Sequence, residues 1–271
     1  MREAIVRPLL AYALVLPLLA PAANADSAPP AGRDGPPRTD RGLYGGRSGR
    51  LGVGIGMIHS SEPYRGFDRK IVPIPMLTYF DRRFTWTGPQ ASYRFAEWQD
   101  YSLHALLRYD FSGYEEGDSD VLGGMSDRDG TVEAGVRLDR ALGRRLGFRI
   151  SVATDILGRH EGQEIHAAVR YRRRWGRLML VPALGVRWQS RDKADYYFGV
   201  RGSEATPERP PYGVGPATSW ELGAAVLYLY SDRVTFIAFP RLDFLAEPIR
   251  DSPIVSDNLM LSGFLGFSYS L

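Results

Sequence analysis

The sequence predicts an all-β fold, namely a transmembrane antiparallel β-barrel of twelve strands, with ten strands as the alternative. Three observations predict it: the chain ends on an alternating strand, its connections alternate between short and long, and it begins with a secretory signal. The 271 residues include 30 glycines, 15 tyrosines and no cysteine, which suits a β protein exported through an oxidising compartment. The mean hydropathy of -0.24 excludes a helical membrane bundle, whereas a barrel crosses the bilayer by alternation and keeps this average low.

The last strand, residues 259–271, organises the prediction. Every second residue in it is apolar or glycine, and the residues between them are mostly small. A period of two indicates a strand with one lipid-facing side and one lumen-facing side. We expect this strand to close the barrel against residues 50–60, so a charge at Phe267 should impair folding more than a charge at Ser268. The residues expected to face lipid are Leu265, Phe267 and Tyr269.

The chain divides into three segments. Residues 1–25 read as a secretory signal, because a basic start and an apolar stretch precede a small-residue cleavage site at residues 23–25. Residues 26–49 are rich in proline, glycine and charge and predict a flexible periplasmic leader. Residues 50–271 form the predicted barrel. A soluble β-sandwich is the competing interpretation, but it explains neither the signal nor the alternating loop lengths.

The strand count follows from parity. The leader and the last residue both lie on the periplasmic side, so the number of strands must be even. Splitting residues 84–95 at Gly88-Pro89 gives twelve. Pro73 and Pro75 lack the backbone donor of a central strand, and we expect them at an irregular or edge-like site. The other expected strands cover residues 50–60, 71–80, 101–109, 132–138, 146–152, 165–171 and 178–188, with three more beginning near Ser219, Arg233 and Asn258.

The connections differ in length on the two sides. Short polar turns are expected on the periplasmic side and long loops on the outside, which is typical of outer-membrane barrels. The expected turns are residues 81–83, 96–100, 140–144, 173–176 and 231–233. The expected outer loops are residues 111–130, 190–217 and 245–257, with a shorter one at 158–162.

Aromatic residues gather near the strand ends, as expected for the girdles of a barrel at the two headgroup levels. They are Tyr79, Phe84, Trp86, Trp98, Tyr109, Phe111, Tyr171, Trp175, Trp188, Trp220, Tyr228 and Tyr230.

Charged residues occupy the side of the strands opposite the apolar face. The two signs are balanced, so we expect the charges to pair across a plugged or very narrow lumen, in preference to a selective channel. The cations are Arg108, Arg137, Arg149, Arg170, Arg187 and Arg241. The acids are Asp110, Glu133, Asp139, Glu164, Glu221 and Asp243.

The chemistry that the sequence offers is sparse. His104 and His166 face the lumen by phase, and His160 lies in a loop. A triplet of Ser102, His104 and Asp110 can be composed on paper, but such residues are too common here for it to indicate a hydrolase. The acidic loop at 115–129 lacks the calcium-binding pattern, and no zinc spacing occurs. We therefore expect no enzyme, with no catalytic, cofactor-binding or metal residue. The net charge of +3 gives no nucleic-acid footprint.

Several stretches, in order along the chain, resemble the MipA/OmpV family of outer-membrane proteins. They are Pro63-Tyr64-Arg65-Gly66, Pro73-Ile74-Pro75, Thr131-Val132-Glu133-Ala134-Gly135, Tyr196-Tyr197-Phe198-Gly199-Val200, Glu204-Ala205, Tyr212 and Ser252-Pro253-Ile254-Val255.

The resemblance implies a non-enzymatic barrel in the outer membrane, among lipid and lipopolysaccharide. It also implies a scaffold that joins a lytic transglycosylase to a penicillin-binding protein, although other members are described as adhesins or osmotic-response proteins. The alternative from the residues is a narrow small-solute channel, because the glycine-rich face at residues 52–56 would leave space inside.

Overall fold

The computed structural model describes residues 49–67 and 70–271. The predicted signal peptide and residues 26–48 of the predicted leader lie outside the described residues and remain predictions. The strands are β1 (Arg50–Ser60), β2 (Lys70–Phe80), β3 (Phe84–Thr87), β4 (Gln90–Trp98), β5 (Tyr101–Asp110), β6 (Thr131–Leu142), β7 (Leu146–Asp155), β8 (Gln163–Tyr171), β9 (Arg173–Trp175), β10 (Leu178–Gln189), β11 (Ala217–Leu229), β12 (Val234–Phe244) and β13 (Leu259–Ser270).

These strands form one antiparallel sheet in which consecutive strands pair, except that β8 pairs with β10 and not with β9, and β13 pairs with β1 to close it. β8 and β9 both pair with β10 and are separated only by Arg172, so together they make one strand of the wall. The barrel therefore has twelve strands, as predicted, and not ten. The split at Gly88-Pro89 is also confirmed, because β3 and β4 form a hairpin around these two residues.

The closing strand has the predicted phase. Phe267 lies opposite Ile55 of β1, and Ser268 lies opposite Gly54. Leu265 is 56% exposed on the outward face, whereas Ser268 is 4% exposed and its hydroxyl lies 2.7 Å from that of Thr78. Alternation thus gives this strand an apolar outer side and a small-residue inner side.

The glycine-rich face of β1 leaves no spare room, contrary to our expectation. A Cβ at Gly54 would overlap the Phe267 carbonyl, and one at Gly56 would overlap the Phe264 ring. The glycines let β13 and the Phe264 side chain approach β1 closely. Ser268 lies on the same inner side, and the expectation that a charge there impairs folding less than a charge at Phe267 stays a prediction.

Pro73 and Pro75 occupy the edge-like site that the sequence predicts. β2 pairs with β1 along its whole length but with β3 only over residues 78–80. The Gly88 amide donates to the Leu77 carbonyl on the β3 side, so the backbone groups of residues 73 and 75 point the same way. Because lipid offers no hydrogen-bond partners, the two prolines remove backbone donors that would otherwise lack one.

Short turns and long loops lie at opposite ends of the barrel, as predicted. Three of the turns are shorter than expected, because β4 continues to Trp98, β6 to Leu142 and β9 to Trp175. Half of the predicted girdle aromatics are exposed, namely Trp98, Tyr171, Trp175, Trp220, Tyr228 and Tyr230. Trp86 is buried, and its indole N–H donates to the Gly88 carbonyl. No helix among the described residues is long and apolar enough to cross a membrane.

Candidate functional site

The long loops fold together over the outer end of the barrel. We call this assembly the outer cap; it comprises residues 61–67, 111–130, 190–216 and 245–258, including helices α1 (Arg191–Phe198) and α2 (Glu247–Arg250). Its members bury a common apolar core, which holds the loops as one unit. The core is formed by Tyr64, Tyr114, Leu122, Met125, Ala194, Val200, Val214, Ala217, Ala246, Ile249, Ile254 and Val255.

Polar contacts connect the loops around this core. The Tyr64 ring packs edge-on against the Tyr114 ring at 4.8 Å, and its hydroxyl donates to the Tyr197 carbonyl at 3.2 Å. The Ser252 hydroxyl donates to the Phe198 carbonyl at 2.6 Å. Burial raises the pKa of Tyr114 to about 12. These side chains thus remain neutral donors that fasten one loop to the next.

A buried ion pair lies within the cap. Arg128 Nη2 contacts both carboxylate oxygens of Glu204, at 2.8 and 2.9 Å, and its Nε donates to the Tyr196 carbonyl at 2.6 Å. Burial alone would raise the pKa of Glu204, but the Arg201 backbone N–H and the Arg128 guanidinium lower it to about 2. Because both charges are fully hydrogen-bonded, this pair fixes the 111–130 loop to the 190–216 loop.

Lys193 connects the cap to the barrel. It projects from α1, is 1% exposed, and its Nζ lies 2.9 Å from Asp110, 2.6 Å from Glu133 and 2.9 Å from Glu164. Burial alone would lower the pKa of Lys193, but these three carboxylates raise it above its ordinary value. The ammonium therefore stays charged and bridges strands β5, β6 and β8 beneath the cap.

Below Lys193 the lumen is crossed by ion pairs. Arg108 of β5 contacts Glu133 of β6 at 2.5 Å and Glu164 of β8 at 2.6 Å. Arg187 of β10 contacts Glu221, and its guanidinium also lies 3.7 Å from Asp243 of β12. Several pairs join strands that are not neighbours, so they reach across the lumen.

A second cluster is centred on Asp139. The Asp139 carboxylate accepts hydrogen bonds from Arg137 at 2.9 Å, Arg149 at 2.6 Å and Arg170 at 3.0 Å. Arg241 contacts Asp243 at 2.8 Å, which brings all twelve predicted lumen charges into ion pairs. The prediction of internal pairing is thus confirmed.

The candidate triad of Ser102, His104 and Asp110 does not form a catalytic arrangement. His104 Nε2 lies 3.0 Å from the Ser102 hydroxyl and 3.6 Å from Asp139, so a single ring nitrogen faces both groups. A charge-relay arrangement needs the acid on one nitrogen and the serine on the other. Asp110 instead contacts Lys193 at the outer end of its strand.

His166 in the lumen and His160 in the outer loop each lie close to one of the lumen carboxylates. His166 Nε2 lies 3.2 Å from Glu221. His160 Nδ1 accepts the Gly162 amide at 2.9 Å, while its Nε2 has no hydrogen-bond partner among the described residues and lies 3.8 Å from Glu133. Burial and then the Lys193 charge lower the pKa of His160, so it stays neutral at neutral pH.

The acidic loop binds its own backbone. Glu116 accepts the Gly124 amide at 2.8 Å, and Asp127 accepts the Glu116 amide at 2.9 Å. Within the part of the chain that the structure describes, no three acidic, histidine or cysteine side chains converge as metal ligands would.

Sequence reasoning assigned no role to the side chains of Lys193, Arg128 and Glu204, because loop residues have no alternation that gives a direction to their side chains. One signal was present for Lys193. The chain holds 34 lysines and arginines, and only Lys70 and Lys193 are lysines. A compact ammonium with three donors suits a junction of three carboxylates better than a planar guanidinium.

A closed antiparallel sheet with an apolar outward face, short turns at one end and capped loops at the other defines an outer-membrane β-barrel. The sequence model of the family described as "MltA-interacting protein MipA" matches residues 52–271, so the chain belongs to that family.

Named relatives agree with this assignment. The MltA-interacting protein of Escherichia coli strain K12 is 29% identical over 215 residues, which cover 76% of this chain and 83% of that protein. Outer membrane protein OmpV of Vibrio cholerae serotype O1 is 34% identical over 155 residues, or 55% of this chain and 58% of OmpV. The solved structure of NanC porin aligns with 81% of this chain and 100% of its own at 13% identity, with a TM-score of 0.40. The predicted MipA/OmpV kinship and the outer-membrane location are confirmed.

Proposed function

We propose that the protein is a non-enzymatic structural barrel that acts as a scaffold in the outer membrane. It would link a murein-cleaving lytic transglycosylase to a murein-synthesising penicillin-binding protein. The observation that carries the proposal is the state of the lumen, which lies under a packed cap and is crossed by paired charges. A barrel of this kind offers its outer and periplasmic surfaces for function, and its interior serves to hold the wall together.

The partner assignment rests on kinship. A relative in the same family carries the name MltA-interacting protein, which supports a murein enzyme as partner here. The absence of an enzymatic role is supported by the His104 geometry, since one nitrogen serves both the hydroxyl and the carboxylate. Outer-membrane phospholipid and lipopolysaccharide would form the surroundings of the wall.

A crosslinking pull-down tests the scaffold. An affinity tag inserted at Gly117, which is exposed in the outer cap with open space around it, leaves the periplasmic turns untouched. Crosslinked envelopes should yield both a lytic transglycosylase and a penicillin-binding protein, and the same tag on an unrelated outer-membrane barrel should yield neither. Recovery of the barrel without either murein enzyme would contradict the scaffold role.

The space that suggested a channel is absent beside the glycine face of β1, because β13 and Phe264 fill it. Planar-bilayer recording separates the two functions. We expect no steady openings from the wild-type protein. Ion-selective openings that change in Arg187→Gln would favour the channel instead.

A further inference from the structure

The periplasmic end of the barrel carries a concentration of arginines that neither the lumen nor the cap uses. Arg140 lies at the periplasmic end of β6, and Arg144 and Arg145 lie in the β6–β7 turn. Next to it, Arg172, Arg173 and Arg174 lie at the periplasmic end of the strand formed by β8 and β9, and Arg177 precedes β10. We call these seven residues the arginine rim.

The two turns form one surface. The Arg172 amide donates to the Arg145 carbonyl at 2.8 Å, so their backbones are in direct contact. The segments 140–145 and 172–177 contain no acidic residue. In the ion pairs formed among the described residues, no arginine of the rim has a carboxylate partner. The rim is thus an uncompensated positive patch on one side of the barrel.

Aromatic rings place three of these guanidinium groups at the lipid surface. Arg140 lies over the Tyr101 ring at 5.0 Å, and Arg173 lies over the Trp175 ring at 5.4 Å.

The third contact is a hydrogen bond, which Arg145 Nη1 donates to the Tyr171 hydroxyl at 3.2 Å. Tyr171 and Trp175 are exposed on the outward face. Amphipathic rings of this kind settle at the headgroup level, which puts the guanidinium groups at the height of lipid phosphates.

We propose that the arginine rim binds the phosphate headgroups of anionic phospholipids in the periplasmic leaflet. A planar guanidinium donates two parallel hydrogen bonds to a phosphate, and the rings beneath hold it in place. An acidic periplasmic protein would approach from below the membrane, whereas a lipid contacts ring and guanidinium together from the side. The contacts of Arg140, Arg145 and Arg173 with aromatic side chains favour the lipid.

Lipid binding to the purified, folded barrel tests the proposal. Cardiolipin, phosphatidylglycerol and phosphatidylcholine are added in neutral detergent, and bound lipid is counted by native mass spectrometry. Each arginine near an anionic leaflet contributes about fivefold in affinity, so Arg140→Gln, Arg145→Gln and Arg173→Gln combined should weaken anionic lipid binding roughly 100-fold. Phosphatidylcholine should bind weakly to all variants.

A control variant removes the same charge at the opposite end. Arg191→Gln, Arg201→Gln and Arg250→Gln change exposed arginines of the cap and should leave lipid binding within about twofold of wild type. Lysine at the three rim positions keeps the charge but not the two parallel hydrogen bonds, so it should weaken anionic lipid binding less than glutamine does. If the combined glutamine variant does not fold, the three single glutamine variants serve as the test, each with an expected loss of about fivefold.

Three results would overturn the proposal. They are equal binding of phosphatidylcholine and anionic lipid, full lipid binding by the glutamine variant, and full competition by inorganic phosphate at equal concentration. Crosslinking of the rim to an acidic periplasmic protein, without any preference among lipids, would also replace it with a protein-docking surface.

Discussion

Replacing Lys193 with methionine should loosen the outer cap while leaving the barrel wall closed. The substitution keeps the length of the side chain but removes a buried ammonium that contacts Asp110, Glu133 and Glu164 within 2.9 Å. Removing one partner of a buried ion pair costs about 3–5 kcal/mol, because the remaining charges stay buried without compensation. If that cost falls on the cap alone, its open population rises roughly 150- to 5,000-fold.

Limited trypsin digestion measures this opening. Arg201 is exposed in the cap, but cleavage beside it requires the loop to leave its packed position. Lys193→Met should be cut near Arg201 far faster than wild type, yet still migrate as a heat-modifiable barrel on gels. Asp192→Asn changes the exposed neighbour in α1 and should be cut at the wild-type rate.

Two results would refute this reasoning. Equal cleavage of Lys193→Met and wild type would mean that the apolar core alone holds the cap. Loss of the heat-modifiable band would mean that Lys193 stabilises the wall instead.

Three further changes test the wall and the cap. Phe267→Arg places a charge on the lipid face and should lower the free energy of unfolding, measured by urea titration, by about 2–4 kcal/mol. Ser270→Arg, on the inner side near the periplasm, should lower it less, and equal losses would contradict the assigned inward and outward faces of β13. Gly54→Ala should force β1 away from β13, lower the stability of the barrel by about 1–3 kcal/mol and reduce the folded, heat-modifiable fraction. Gly117→Ala, in open space, should leave this fraction unchanged. The pKa of Glu204, about 2, lies below the ordinary 4.5, so the stability that Glu204 contributes is complete above about pH 4.5 and is lost as the pH falls toward 2. Pepsin should therefore cut the cap increasingly as the pH falls over this range. A cap that resists pepsin equally throughout would count against the contribution of Glu204.

The wall could be read from the sequence because alternation fixes the direction of every side chain in a strand. The lipid face of β13 and the lumen side of charges such as Arg108 follow from a period of two. The edge-like site of Pro73 follows from its missing backbone donor. The requirement for an even number of strands predicted the count of twelve. The turns came out shorter than expected at Leu142, since a strand continues for as long as its neighbour offers hydrogen bonds.

The cap could not be read in the same way. Its loops pack through contacts between residues that are far apart in sequence, such as Tyr64 with Tyr197 and Arg128 with Glu204. No local pattern in the sequence encodes such contacts. The crowding at Gly54 was also hidden, because small residues indicate either empty space or close approach, and only the neighbouring strand decides between them.

The position of Lys193 also determines what an opened barrel would conduct. The outer cluster contains the carboxylates of Asp110, Glu133 and Glu164, and Lys193 and Arg108 are the cations nearest to them. When the cap lifts, the Lys193 ammonium moves away with α1, and the side chains at the outer mouth of the lumen then carry a net negative charge. Any current through Lys193→Met in planar bilayers should therefore prefer cations, because a ring of acidic side chains attracts them. An anion preference would mean that the arginines deeper in the lumen, and not the outer carboxylates, control entry.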